Sequence, residues 1–306
     1  MDEPVELVRS TEFWFEDGTI VLQVGTTLYR VYRGFLAARS TVFYDTFSMP
    51  QPPGVSADIE GCPIVQLHDN PKDFSRFLRA LHQCGTYKTC PVSDFSELSS
   101  ILRLSDKYDV PLLRGSMISI LRDIYPSSLP KWLKRKTPAG YTESWFDDYC
   151  VLNLARKMDI RSILPGVMYE VCLTGSESVF SGILAGKTRV KIKDNGDRKR
   201  CIVAIPELMV ERRQLLRFLL DHDIDGCEDE DECDAERLRW LENDLQDTEK
   251  LADEFDPLSE DFEWDEYNVC SACLDAAKAD FRAARRRLWN DLPRIFDLPS
   301  WNDLLA

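Results

Sequence analysis

The chain has 306 residues, 44% of them apolar and 10% aromatic, enough for two or three domains with a substantial core. Its net charge of −15 is uneven: 22 acidic residues against 3 basic fall between Asp221 and Glu266, a net of −19, and the rest carries +4. Nucleic-acid binding by bulk charge is therefore disfavoured, because phosphate contacts need a basic footprint.

The N-terminal stretch MDEPVELVRS lacks the apolar core of a secretory signal. No apolar run approaches the roughly 20 residues that span a bilayer. The expectation is a soluble intracellular protein, cytoplasmic or nuclear, without membrane or direct nucleic-acid partners. Its ten cysteines are then not expected to form a disulfide framework. The short basic runs Lys131–Lys136 and Lys187–Arg200 read as solvated loops or as partners of the acidic segment.

In chain order, Ile20–Val24 and Leu28–Tyr32 are strand-like runs around Gly25-Thr26-Thr27, a hairpin pattern. A short helical turn over Gly34–Ala38 follows, and Ser40 suits the N-cap of a helix over Thr41–Phe47. The Pro50–Gly54 stretch breaks that helix. Ile64–Leu67 reads as a third strand. Asn70-Pro71 opens a helix whose Phe74, Phe77, Leu78 and Leu81 share one face. Ser93 or Asp94 caps the next helix, which buries Leu98, Ile101, Leu102, Leu104 and Tyr108. Asp109-Val110-Pro111 is a break, and a further helix runs to Ile124 with Pro126 ending it. Strands followed by several helices make an α+β order.

On these residues the N-terminal unit resembles a BTB/POZ domain. The resemblance rests on the Asp17–Val24 strand, LYRVYRGFLAARSTVF at Leu28–Phe43, and Ile64–Asp69. It also rests on the helix Asp73–Leu81 leading to Tyr87, and on ILRLSDKYDVPLLR from Ile101 to Arg114. It implies a short β-sheet with a cluster of helices, and association with partner proteins or with a second copy of the chain. Relatives of this kind include substrate adaptors of cullin-type ubiquitin ligases and transcriptional regulators. Many members carry His-Lys where this chain has Tyr32-Arg33, so the resemblance supports the fold more than the mode of pairing. Asp17 and Arg39 match charged places near the dimer groove. Phe13, Trp14 and Phe15 are three adjacent aromatics that either pack on their own core or face a partner.

The expected organisation is a BTB/POZ-like domain over 10–126, a linker over 127–142, and a helical region over 143–220. An acidic loop and helix segment over 221–266 and a C-terminal helix and tail over 267–306 complete it. The C-terminal half reads as mostly α-helical. Thr174–Gly186 is a small-residue loop, and Pro206–Leu220 an amphipathic helix with Leu208, Leu215, Leu216, Leu219 and Leu220 inward. Leu238, Leu241 and Leu245 give the acidic segment a helical spacing. Phe255–Tyr267 reads as loop, and Asn268–Leu288 as a final helix. Gly166-Val167-Met168-Tyr169 after Leu164-Pro165, and the series Trp289, Leu292-Pro293, Phe296, Leu298-Pro299 and Trp301, resemble the follow-on region of BTB proteins expanded in basidiomycete fungi.

No nucleotide-binding loop, nucleophile elbow or H-E-x-x-H occurs, and His68 and His82 fall at the ends of structural elements. The chain is therefore expected to be no enzyme. An enzyme would need an unrecognised site in the C-terminal half. One constellation carries chemistry: Cys227, Cys233, Cys270 and Cys273. C-x2-C opening a helix is a zinc half-site, because thiolates one turn apart reach one ion at about 2.3 Å. The C-x5-C half is looser. A structural zinc ion is one reading; two core cysteines and two free thiols are the other.

Overall fold

The computed structural model describes residues 6–49, 58–83, 92, 94–135, 147–185, 188–246, 256–259 and 262–306. The chain divides into two units, Met1–Leu121 and Arg122–Ala306. The Pro50–Gly54 break, Tyr87 and the Ser93 alternative lie outside the described residues.

The first unit is built on a five-stranded sheet. Its strands are β1 (Val8–Trp14), β2 (Ile20–Val24), β3 (Thr27–Val31), β4 (Asp58–Ile59) and β5 (Cys62–Leu67), in the order β1-β3-β2-β5-β4. β2 and β3 pair antiparallel with Leu22 opposite Tyr29, the hairpin expected from the sequence. Gly25 turns that hairpin at φ 56°, a left-handed conformation that favours glycine. β5 adds parallel to β2, with Leu22 opposite Val65. β1, which carries Phe13 and Trp14, has no counterpart among the strands expected from the sequence. It is an edge strand that pairs parallel with β3. Its exposed positions follow no clean apolar alternation, and a non-local pairing leaves no turn signal.

Helices α1 (Arg33–Ala37), α2 (Thr41–Ser48), α3 (Pro71–Gln83), α4 (Phe95–Lys107) and α5 (Pro111–Ile124) complete the first unit, α5 running past its end. Three caps set these helices. Ser40 Oγ accepts from Phe43 N at 3.0 Å, Asn70 Oδ1 from Lys72 N at 2.9 Å, and Asp94 Oδ1 from Glu97 N at 2.7 Å. Phe43 stacks on Tyr108 with ring centroids 4.4 Å apart, and Phe74 and Phe77 close on Tyr108 from α3. Tyr29 meets Phe74 edge-on at 5.2 Å. Tyr29, Phe43, Phe74 and Phe77 are fully buried, so this aromatic column is the centre of the core.

Among the described residues the second unit is helical apart from one small hairpin, β6 (Ile183–Ala185) with β7 (Thr188–Val190). Its helices are α6 (Leu129–Lys134), α7 (Asp148–Lys157), α8 (Leu164–Leu173), α9 (Gly175–Ser181), α10 (Asn195–Leu215), α11 (Glu230–Gln246), α12 (Ser271–Ile295) and α13 (Trp301–Leu305). Within 127–142, expected as linker, α6 buries Trp132. The Trp132 ring lies against Gly166 of α8, where an added Cβ would come within 2.7 Å of it. Gly166 thus lets α6 close on α8. Trp132, Trp289 and Trp301 follow one another at centroid distances of 5.0 and 5.4 Å. Residues 122–126, expected in the N-terminal domain, group with this unit.

Several elements of this unit also differ in extent from the expected ones. Thr174–Gly186, expected as loop, contains α9 and β6. α10 starts eleven residues before Pro206, capped by Asp194 Oδ1 accepting from Asp197 N at 2.7 Å, and accommodates the proline within the helix. It stops at Leu215, so Leu220 is exposed rather than inward. Leu238 on α11 is also exposed. The last long helix extends from Ser271 to Ile295, past the expected Leu288.

One helix stop occurs three times. Asp109, Asp159 and Asp297 adopt φ of 47°, 52° and 48°, and the next residue's N–H reaches back to Ser105, Ala155 and Pro293 carbonyls at 2.7, 2.8 and 2.8 Å. This is the Schellman arrangement with aspartate, whose short side chain tolerates the left-handed region, in place of glycine.

Candidate metal centre

The four cysteines expected to act together meet in the second unit. Cys227 sits in a turn, its N–H bonded to Ile224 O at 3.0 Å, next to Gly226 at φ 81°. Cys233 lies in the first turns of α11, its N–H bonded to Asp229 O at 3.1 Å. Cys270 is the residue before α12 and Cys273 falls in that helix's first turn, so their spacing of three puts both at one helix end. The four sulfurs all lie within 4.8 Å of one another. Cys227 Sγ is 3.8 Å from Cys270 Sγ and 3.5 Å from Cys273 Sγ.

These distances fit one ion and no disulfide. Four sulfurs at about 2.3 Å from a tetrahedral centre stand about 3.8 Å apart, whereas a disulfide needs about 2.05 Å. All four are free thiols. Cys233 and Cys273 are each 2% exposed and Cys227 and Cys270 half-buried, an enclosed set with one open side. Soft sulfur donors in this number suit zinc over calcium or magnesium.

The surroundings favour thiolates at that spot. The N-termini of α11 and α12 both converge on the sulfurs, and helix N-termini stabilise negative charge. Cys270 N donates to Cys233 Sγ at 3.4 Å. The backbone N–H groups of Glu228 and Cys273 pull the Cys270 thiol down to about 6. Burial pushes Cys233 and Cys273 the other way. Without a metal the cluster thus holds protons on its buried members. A metal ion binding there displaces them, which makes affinity pH-dependent.

Arg237 was not foreseen from the sequence. It donates Nη2 to Cys273 Sγ at 2.9 Å and also bonds Asp234 through Nη1, while Asp234 Oδ2 faces His222 Nδ1 at 3.1 Å. The signal was present: Arg237 follows Cys233 by four residues, which puts both on one helix face. It was masked by the acidic run around it. Beside the cluster, Phe218, Tyr267, Phe281 and the half-buried Trp240, Phe262 and Trp264 form the small aromatic core that the cysteines tie down.

The residues singled out in the first unit have separate surroundings. Phe13 is 4% exposed and packs inward against Tyr29 and His82. Trp14 is half-buried over Val21, Leu28 and Cys62, with the Arg9 guanidinium 4.4 Å above its ring. Phe15 stacks on Tyr32 at 5.2 Å, and the Tyr32 hydroxyl donates to Asp17 Oδ1 at 2.6 Å. Tyr32, the departure from the family's histidine, thus anchors both Phe15 and Asp17. Arg39 is exposed and lies 3.8 Å over the Phe35 ring.

Residues 14–124 match the family model of the BTB/POZ domain. No curated protein matches the chain. The N-terminal unit is therefore a BTB domain with a curled sheet and helices, a protein–protein interaction module, followed by a mostly helical C-terminal region. Among the described residues no helix is long and apolar enough to cross a membrane.

Proposed function

We propose, with the BTB/POZ match over residues 14–124 as premise, that this chain is a non-enzymatic association factor. Its BTB domain pairs with a second copy or with another protein, and its helical unit carries the partner-recognising surface. That match is the observation that carries the proposal. The polar chemistry outside the domain supports a non-enzymatic role, because the four cysteines face one another rather than a substrate cleft. Trp14, Phe15, Asp17 and Arg39 are the surface candidates for pairing, with Phe13 supporting them from below. An adaptor role for a cullin-type ubiquitin ligase, or one in transcriptional regulation, is the finer reading. The Leu164–Tyr169 and Trp289–Trp301 patterns favour the BTB type expanded in basidiomycete fungi, and the setting is cytoplasm or nucleus.

Light scattering on the full chain at tens of micromolar tests the pairing. A dimer is expected, and Arg39→Glu should weaken it while leaving the circular dichroism of the folded chain unchanged. A strictly monomeric chain would remove the homotypic reading. Capture of a cullin by the full chain tests the adaptor reading separately.

We further read the four-cysteine cluster as a structural zinc site. The spread of the sulfurs, 3.5 to 3.8 Å about Cys227, supports this. Protein purified without added zinc should contain close to one zinc per chain. No zinc, together with an unchanged melt for Cys273→Ser, would remove the reading.

A further inference from the structure

Arg237 is a buried cation without a buried carboxylate. Its residue is 4% exposed, whereas Asp234, its acidic partner, keeps a 41% exposed side chain and shares its carboxylate with His222. Removing a guanidinium from water is costly unless strong acceptors replace the lost hydration. Asp234 meets that need at Nη1, and the Tyr267 hydroxyl also faces the guanidinium. The other arm, Nη2, lies 2.9 Å from Cys273 Sγ. The acceptor for half of this fork is therefore one of the four sulfurs.

The charge of the cluster gives that contact a purpose. Four thiolates around one divalent cation carry a net charge of about −2. Cys233 and Cys273 face the interior, where such an excess is poorly screened. The flanking side chains worsen it, since Glu228, Asp229, Glu230, Asp231 and Glu232 all precede Cys233 directly. Arg237 is the cation hydrogen-bonded to the sulfurs among the described residues. A bond from a charged N–H is among the stronger hydrogen bonds, and one to a metal-bound sulfur also fixes the direction of its lone pairs.

We propose that Arg237 is a positioning residue of this metal centre. Its guanidinium bonds Cys273 Sγ, orients that sulfur and neutralises part of the tetrathiolate charge, with Asp234 holding the other arm in place. The inference rests on the zinc reading above and adds to it a determinant of affinity. A purely structural arginine would fill the same space. Space filling alone would leave the electronic state of the metal–sulfur bonds untouched, because it takes a hydrogen bond or a nearby cation to lower the energy of the sulfur lone pairs. Losing that bond moves sulfur-to-metal charge transfer to lower energy.

Cobalt(II) and zinc binding to the full chain test this, with Arg237→Met, Arg237→Lys and Asp234→Asn as variants. Affinity is read by competition with a chromophoric chelator, and the sulfur–cobalt band by absorption. The unaltered chain is expected to bind one ion with a tetrathiolate spectrum. Arg237→Met should bind zinc about 10- to 100-fold more weakly, the range for loss of an outer-shell partner, with its cobalt band at lower energy. Arg237→Lys keeps the charge but not the fork and should fall between. Asp234→Asn should shift the band in the same direction by less. Unaltered affinity and band position in Arg237→Met would overturn the role while leaving the zinc site standing. Should circular dichroism show that Arg237→Met does not fold, unchanged affinity and band in both Arg237→Lys and Asp234→Asn would overturn it equally. No ion taken up by the unaltered chain would overturn the zinc reading and this inference together.

Discussion

The BTB unit and the helical unit satisfy their interiors by different means. In the first, the centre is an aromatic column of Tyr29, Phe43, Phe74, Phe77 and Tyr108, with Asp69 held by Tyr108 and Lys107 at its edge, and the buried polar residues among those described are mostly serines. In the second, distant segments are tied by polar links: four cysteines, Arg156 with Asp197, Tyr125 with Asp148, and Tyr169 with Asp256. Apolar burial is spread over many contacts, so no single one dominates. A buried polar link concentrates its consequence, because breaking one partner strands the other. The difference predicts that substitutions in the first unit cost according to the apolar surface they remove, and in the second according to the partner they strand.

The largest test is the metal. Calorimetry of the full chain should give two transitions, of which a strong zinc chelator lowers one by many degrees and leaves the other in place. Phe74→Ala, a core truncation worth about 3–5 kcal/mol, should identify the other by moving it alone. Chelation that shifts both or neither would break the comparison.

Next is the pair Arg156–Asp197, in which Arg156 Nε and Nη2 reach the carboxylate at 2.6 and 2.5 Å and Asp197 is 1% exposed. Arg156→Met strands that carboxylate. The Arg156 side chain is itself 34% exposed and Arg200 stays 3.4 Å from the carboxylate, so the expected cost is about 2–3 kcal/mol, at or below the low end for a pair buried on both sides. Denaturant unfolding should show it in the chelator-sensitive transition. A cost below about 1 kcal/mol would mean that Arg200 alone suffices.

This contrast also explains what the sequence could tell. Period-two runs, caps and a helix face of Phe74, Phe77, Leu78 and Leu81 are local signals, and they made the first unit's strands β2, β3 and β5 and its helices legible. β1 was not, because its pairing with β3 leaves no local turn. In the second unit, α6 hid behind a Lys- and Pro-rich composition. Its evidence is Trp132 against Gly166, a contact across more than thirty residues. The cysteines were legible as a set because ligand spacing is local at Cys270 and Cys273. Arg237 was not, since its meaning depends on where Cys273 arrives in space.

One partly buried group in each unit should contribute a pH dependence of opposite sign. Burial, with Glu170 and Asp147 nearby and Arg135 and the Tyr125 hydroxyl opposing, raises Asp148 to about 7. Folded chains then hold a proton that unfolded ones release near 3.9, so this group's contribution to stability falls as pH rises from about 4 to 7. His82 is held low by burial among Phe13, Phe15 and Phe35 and by Arg39, with Glu12 opposing. Unfolded chains take up its proton first, so its contribution is lost as pH falls below about 6.5. The difference in melting temperature between each variant and the unaltered chain, followed against pH, should slope in opposite directions for Asp148→Asn and His82→Phe. Slopes of the same sign would contradict the assignment.

The smallest effect sharpens the contrast most. Arg79 grips Glu12 with the same fork as Arg156 uses on Asp197, Nε at 2.8 Å and Nη2 at 2.6 Å. The geometry is equivalent, but the side chains of Arg79 and Glu12 are 39% and 42% exposed. Water solvates both ions when the bond opens, so an exposed pair contributes about 0–1 kcal/mol. Glu12→Gln keeps the shape, removes the charge and leaves Glu97 4.0 Å from Arg79. It should cost less than about 1 kcal/mol, and less still in high salt. A loss matching that of Arg156→Met would show that fork geometry governs these pairs. A several-fold smaller loss assigns the difference to burial, the property that separates the two units.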